Sequence, residues 1–347
     1  MLKYINIRIW RRVFFVTFFA LFIDAYAQHG GKRYLSVMSF NCENVFDTIH
    51  DAGKDDYDFM PDGSHHWSRW RMYKKLKGIM KIMAAADETY PVDLVGLCEV
   101  ENDSVMTWLL NNTAMHRLPY RYVMTSSEDK RGIDVALIYS RYFFQPFDTA
   151  FIRTSGLSAP VRDVLRVSGT VPTGDTLDVY VCHLPSKLGG REAYDRGMSV
   201  ARNLKADVDS IMSVRSMPYV ILMGDFNADY SSPLIRKVLG VKALRKKTDV
   251  REFSSSDLVD LVAGKPNGSY KYHGQWSIID HIIVSGTFFG QESRLHTSFD
   301  DSGIHAFPFL LEDDMTYGGK KPKRTYIWTK YNGGVSDHLP VWARFRF

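Results

Sequence analysis

Cysteine is scarce: the 347 residues hold three, Cys42, Cys98 and Cys182. So small a set excludes a disulfide-stapled scaffold and a cysteine-rich zinc module. Each thiol sits in an apolar stretch directly beside a polar residue (Glu43, Glu99 or His183), so strand alternation turns it away from that residue and into the interior. A long apolar run is missing too. The run Val13 to Ile23 has eleven residues broken only by Thr17, too short for the ~20 that a helix needs to cross a bilayer. Preceded by Lys3, Arg8, Arg11 and Arg12 and followed by Ala25-Tyr26-Ala27, it reads as a signal peptide over residues 1–27. That implies a periplasmic or extracellular chain with no stable membrane span; an uncleaved anchor is the competing reading. Low-complexity linkers and repeats are absent, so residues 28–347 read as one domain, and 45% hydrophobic residues suffice for a large core. Charge of one sign is lacking as well. Removing the leader's four cations and one acid lowers the net charge from +5 to +2, so any footprint for a polyanion must be local.

What the chain has instead is a set of short apolar strands that end in polar residues. Tyr219 to Leu222 leads into Met223-Gly224-Asp225-Phe226-Asn227-Ala228-Asp229. Period-two geometry predicts Asp225 and Asn227 on one side and Phe226 on the other. A carboxylate that orients water, beside an amide that holds a phosphoryl oxygen, suits phosphoester hydrolysis. Tyr34 to Phe40 ends likewise in Asn41-Cys42-Glu43-Asn44, and Val92 to Cys98 ends in Glu99-Val100-Glu101-Asn102. A right-handed crossover between these two strands would bring Glu99 beside Asn41 and Glu43, an oxygen-rich cluster of the kind Mg²⁺ favours. Leu177 to Cys182 delivers His183, followed by Leu184-Pro185-Ser186-Lys187 and Gly189-Gly190-Arg191. A lone histidine is more often structural, but the Pro turn and the two cations around a Gly pair suit a phosphate-handling loop. Trp276 to Ser285 predicts one strand with Asp280 at its centre, where an acid is costly unless paired. The expected partner is His338, within Ser336-Asp337-His338-Leu339-Pro340; the neighbouring His281 should point to the opposite face.

Other stretches carry weaker signals. The polar and aromatic segment Asp47 to Arg71 holds His65, His66, Trp67 and Trp70, read as a substrate rim or as plain loop; vicinal histidines make a poor metal pair. Leu76, Ile79, Met80 and Met83 predict an amphipathic helix with core methionines and a solvated face of Lys74, Lys75, Lys77 and Lys81. Tyr120 to Thr125 and Val135 to Tyr139 read as paired strands, with Arg131 and Asp134 either facing phosphate or solvating the hairpin. Arg162, Asp163 and Arg166 carry the same ambiguity. Helices are expected over Glu192–Val214 and Pro233–Leu244. Lys242, Arg245, Lys246 and Lys247 form a basic cluster, either a solvated face or a local footprint for a nucleic-acid backbone.

Taken in order, Phe40-Asn41, Glu99, His183, Gly224-Asp225-Phe226-Asn227, Ile279-Asp280-His281 and Ser336-Asp337-His338-Leu339-Pro340 resemble the motifs of the endonuclease/exonuclease/phosphatase superfamily, also called deoxyribonuclease I-like. The resemblance runs from about residue 34 to the C-terminus. It implies an α/β fold, a four-layer α/β/β/α sandwich of two mainly antiparallel sheets packed face to face with helices outside, and one catalytic domain over 28–347. It also implies Glu99 as the principal Mg²⁺ ligand, with Asn41, Glu43 and Asp337 around the metal and Mn²⁺ as a substitute. The family often has Asp at the Glu43 position, which leaves direct contact by the longer side chain open. By the same resemblance Asp225 orients or deprotonates the attacking water, and Asn227 positions the phosphate. His338, supported by Asp280, binds phosphate or acts as general base, and His183 is a phosphate or leaving-group partner. Arg131, Lys187 and Arg191 are the candidate substrate-binding cations. The activity to expect is a secreted Mg²⁺-dependent phosphodiesterase, an endonuclease acting as a monomer on nucleic acid, DNA first. The alternative is a phosphatase or sphingomyelinase-type hydrolase of phosphorylated small molecules or lipid headgroups. A catalytically silent binding module is a third reading, disfavoured because each recognisable catalytic position still carries a competent side chain.

Overall fold

Segments rich in Val, Ile and Leu form the strands, as their shape on a pleated surface favours. In chain order they are β1 (Tyr34–Val45), β2 (Leu94–Val100), β3 (Tyr120–Met124), β4 (Asp134–Ser140), β5 (Gln145–Ile152), β6 (Val164–Thr170), β7 (Thr176–His183), β8 (Tyr219–Asp225), β9 (Val241–Ala243), β10 (Leu258–Asp260), β11 (Tyr270–Tyr272), β12 (Gln275–Ser277), β13 (Asp280–Ser285), β14 (Ser302–Ile304), β15 (Leu311–Asp313), β16 (Lys320–Pro322), β17 (Tyr326–Ile327), β18 (Lys330–Tyr331) and β19 (Val341–Arg346). The α-helices are α1 (Arg69–Ala85), α2 (Asp103–Asn111) and α3 (Gly190–Val214). The computed structural model describes residues 32–87, 90–186 and 189–347, so the leader and Lys187 lie outside the described residues.

The order β14-β19-β1-β2-β4-β3 builds a six-stranded sheet, and β5-β6-β7-β8-β13-β10-β9 a seven-stranded one. Neighbours are antiparallel except β1–β2, β7–β8 and β9–β10. The first two parallel pairs are each crossed by a helix, α1 and α3 respectively, since a hairpin cannot join parallel strands. Alternate residues of each strand serve different cores. Val37 and Leu94 of one sheet meet Val179 and Ile221 of the other in the interior between them. Met38, Phe40 and Val95 face outward under Leu76 and Ile79 of α1 and Val105 of α2. Tyr180, Val220 and Leu222 pack beneath Val200 and Leu204 of α3. This is the expected four-layer α/β/β/α sandwich. All three cysteines are buried and free. Among the described residues no helix is long and apolar enough to cross a membrane.

Four local expectations fail. The helix expected over 233–244 is a single π-turn, Leu234–Val238, after which Gly240 turns the chain into β9; pairing with β10 outweighs local helix propensity. The strand expected over 276–285 is two, because β12 folds back on β11 and the chain restarts as β13 with Asp280 at its head. Trp67 is not on a rim but buried, its indole donating to the Phe46 carbonyl at 2.9 Å. Lys75 is not solvated: it is 3% exposed and its ammonium donates to the Glu43 carbonyl and to Thr325 Oγ1.

Candidate active site

Strand register gathers the polar residues. Parallel pairing of β7 with β8 sets His183 beside Asp225, and antiparallel pairing of β8 with β13 sets Asp280 on its other side. In the facing sheet β1 and β2 pair Asn41 with Cys98, which leaves Glu99 one residue further up. Packing the sheets face to face closes the gap. Asn41 Nδ2 donates to Asp225 Oδ2 at 3.0 Å and to Glu99 Oε1 at 3.3 Å, so the amide bridges the two sheets. The segment before β19 joins through Ser336 Oγ, which donates to the Asn41 carbonyl at 2.7 Å. Residue 224 must be glycine: its φ is +141°, and a Cβ would stand 1.9 Å from the Cys182 carbonyl oxygen of β7.

A cavity of about 680 Å³ opens over this edge, lined by Glu43, Glu99, His183, Asp225, Asn227, Asp337 and His338. Four residues of its wall, Glu43, Asn44, Glu99 and Asn227, are non-glycine residues with φ between 49° and 64°. Such strain costs roughly 1–3 kcal/mol each and persists only where bonds hold it. Here they do: Asn44 N donates to Glu99 Oε2 at 2.9 Å, Glu43 N to Asn41 Oδ1 at 2.9 Å, and Asn227 N to Asp225 Oδ1 at 2.8 Å. Asn227 Nδ2 also donates to the Leu184 carbonyl at 2.9 Å, tying the ends of β7 and β8 together.

The surroundings push the pKa values of the two histidines in opposite directions. His338 Nδ1 faces Asp280 Oδ2 at 2.8 Å, which leaves Nε2 3.9 Å from both Asp225 Oδ2 and Asp337 Oδ1. Burial alone would lower its pKa, but the charge and hydrogen bond of Asp280, with Asp225 and Asp337, lift it well above the usual value. His183 Nε2 lies 3.6 Å from Glu99 Oε1 and 3.7 Å from Asp225 Oδ2. Burial, reinforced by the nearby cations Arg162 and Arg131, holds it well below the usual range. Asp225 is raised to about 7 by burial and the charge of Asp280, against the pull of His338. Groups driven apart in this way can divide acid and base roles.

Glu43 is buried at the cavity wall and held by residues far along the chain. Its carboxylate accepts from Arg324 Nε at 2.9 Å and Thr325 N at 2.6 Å, and Arg324 Nη2 reaches Asp337 Oδ2 at 2.9 Å. Arg324 thus joins two of the expected ligands. It is absent from the sequence reading because Lys320-Lys321-Pro322-Lys323-Arg324 resembles any solvated basic run. Of the expected substrate cations, Arg131 is half-exposed on the cavity wall. Arg191 is fully exposed on the first turn of α3, facing Asp195 and outside the cavity lining. Arg162 is buried and structural, donating to the His183 and Leu184 carbonyls and to Asp129. Asp134 closes its hairpin by accepting from Thr125 Oγ1 and Ser127 N.

The donor set fits a hard divalent cation. Glu99, Asn41, Asp225 and Asp337 offer oxygen donors, and Asp225, Asp280 and His338 have ligand atoms all within 4.8 Å of one another. The buried negative charge that raises Asp225 is what such an ion would relieve.

Comparison with known proteins agrees with this geometry. Residues 36–346 match the family described as the Endonuclease/Exonuclease/phosphatase family. No curated protein matches the sequence significantly. Among solved structures, an endonuclease/exonuclease/phosphatase family protein from Bacteroides thetaiotaomicron is 16% identical with a TM-score of 0.56, over 90% of this chain and 95% of that one. A mannosyl-6-phosphatase from the same organism has the same identity and TM-score, over 90% and 100%. TDP2 from D. rerio, humanized by 14 mutations, is 14% identical with a TM-score of 0.56, over 90% and 99%. At these identities the likeness is one of fold.

Proposed function

The chain belongs to the endonuclease/exonuclease/phosphatase family, and on that premise we propose that it is an exported Mg²⁺-dependent phosphodiesterase, an endonuclease that acts on nucleic acid as a monomer. The observation that carries this reading is geometric: two histidines flank Asp225, with His338 Nε2 at 3.9 Å and His183 Nε2 at 3.7 Å from its Oδ2, and Asp280 holds the other nitrogen of His338 at 2.8 Å. His338 Nε2 donates to a non-bridging phosphoryl oxygen while Asp280 holds its other nitrogen. Asp225, fixed by the Asn227 N–H and the Asn41 amide, orients the attacking water and takes its proton. His183 stands on the β7 side of Asp225, where its ring N–H can hydrogen-bond the leaving oxygen, which takes its proton from solvent. A divalent cation held by Glu99, Asn41 and Asp337 would supply charge neutralisation at the phosphoryl group. Arg324 braces that set by bridging Glu43 and Asp337 on the cavity wall.

Basic residues at the right edge favour nucleic acid. β9 and β10 run in the same direction as β8, so the exposed Arg245, Lys246 and Lys247 after β9 emerge on the edge that carries Asp225. Phosphomonoester hydrolysis is the second reading. Arg324 favours it, because a guanidinium at the cavity wall complements the extra charge of a terminal phosphate.

The test uses purified residues 28–347 with Mg²⁺ on supercoiled plasmid and on a single-stranded DNA circle, with EDTA and Asp225→Ala as controls. Cleavage of either substrate, lost in both controls by at least the ~10²–10³ that removal of one key polar group costs, is the expected result. An intact fold with no cleavage would reject the nuclease and leave the second reading. Export is checked separately: N-terminal sequencing of the protein recovered outside the cytoplasm should begin at Gln28.

A further inference from the structure

The hairpin β11–β12 stands against the catalytic segment. Tyr270 bridges to His338 through the backbone, and Leu339 N donates to the Ser269 carbonyl at 2.7 Å. Its turn, His273-Gly274, has both residues left-handed, at 47° and 79°, as a tight two-residue hairpin requires. In a three-residue strand the middle side chain faces away from the outer two. On that far side Lys271 forms a buried ion pair with Asp314 at 2.7 Å and donates to the Gly318 and Lys320 carbonyls at 3.0 and 3.2 Å. The hairpin is thereby fixed to the β15–β16 unit.

Tyr270 and Tyr272 on the near side start a row of rings that continues through the turn. The Tyr270 ring lies 4.8 Å from His338, tilted by 37°, and Tyr272 follows at 6.5 Å, within 12° of parallel. Next come His273, 4.1 Å from Tyr272 and tilted by 32°, and Tyr317, 6.0 Å further and tilted by 21°. Tyr270 and Tyr272 line the same cavity as His338. Tyr272 and Tyr317 are 50% and 55% exposed, so each ring keeps surface open to solvent beyond its contact with His273. A core role does not explain half-exposed rings, and a solubility role does not explain rings pinned by a buried ion pair. Flat faces presented in series beside a phosphate site suit successive planar groups of one ligand.

We propose that this row is a stacking subsite for the nucleobases flanking the scissile phosphate, and that the substrate is therefore single-stranded or locally unpaired nucleic acid. In a duplex the base faces are already covered by their neighbours, and an unstacked base must be supplied. The proposal rests on the phosphodiesterase reading above and narrows its substrate.

Binding separates the two. In EDTA, a short oligothymidylate and an abasic strand of equal length are titrated against the protein, Tyr272→Ala and Tyr272→Trp, followed by intrinsic fluorescence, with thermal melts confirming folding. The expected result is a base-bearing preference of about fivefold to a hundredfold, erased in Tyr272→Ala and kept in Tyr272→Trp. Equal binding of the two strands by the unaltered protein, or an equal loss for both strands in Tyr272→Ala, would overturn it. So would a loss of affinity in Tyr272→Ala confined to a sugar phosphate such as mannose 6-phosphate. If the base preference behaves as expected but Mg²⁺ supports no strand cleavage, the subsite stands and the phosphodiesterase reading falls.

Discussion

At the scale of single residues, neighbours decide what a histidine is. His338 and His183 have the same ring and comparable burial, yet Asp280 lifts the pKa of the first against its burial, while burial, reinforced by Arg162 and Arg131, lowers that of the second. His305 is a third case, remote from this chemistry. It stacks on Phe307 at 4.7 Å and Trp342 at 5.3 Å, its Nε2 buried without a partner, and burial pushes its pKa down to about 4. The unfolded chain, with an ordinary histidine near 6.5, takes up the proton first as pH falls. Between about 6.5 and 4 the unfolded state therefore binds more protons, and stability, complete above 6.5, declines as pH drops through that window. Urea unfolding at pH 7.5 and 4.5 should show roughly 2 kcal/mol more loss in the native protein than in His305→Phe. Equal losses would mean that His305 is not buried neutral.

At the scale of elements, the β7–β8 pair is the rigid base of the site, and Gly224 is what allows it. Gly224→Ala must both leave a left-handed φ and move the Cys182 carbonyl. Destabilisation of at least ~3 kcal/mol in chemical unfolding is expected, and a variant of native stability would show that β8 has room to spare. The polar strand ends were legible in the sequence because burial of the run and alternation at its end are both local: Asn41, Glu99, His183 and Asp225 converge as their positions imply. What alternation could not give is a partner from far along the chain: Arg324 and Thr325, some 280 residues away, take up the Glu43 carboxylate. Lys75 teaches a finer lesson. It lies three residues after Met72 and four before Ile79, on the apolar stripe of α1, so spacing placed it inside and only its charge argued otherwise. Its partners, the Glu43 carbonyl and Thr325 hydroxyl, come from distant elements that no helical pattern reveals. The same blindness hid Tyr270 and Tyr272, since a three-residue strand carries too little periodicity to be seen.

At the scale of the molecule, neither sheet holds a site alone. The seven-stranded sheet contributes His183, Asp225 and Asp280, the six-stranded sheet Asn41 and Glu99, and the segment leading into β19 contributes Asp337 and His338. Folding therefore drives carboxylates together at the seam between the layers, and the rise of Asp225 to about 7 records that cost. A cation that binds only the assembled seam must stabilise the whole fold. Mg²⁺ at about a hundred times its dissociation constant adds ~2.7 kcal/mol, which for a domain of this size raises Tm by several degrees. EDTA should reverse the rise. Glu99→Gln, which keeps the shape of the side chain but removes its charge, should abolish it, whereas Arg191→Ala on the exposed first turn of α3 should leave it intact. A shift that survives in Glu99→Gln would place the ion elsewhere, and with it the origin of any metal dependence.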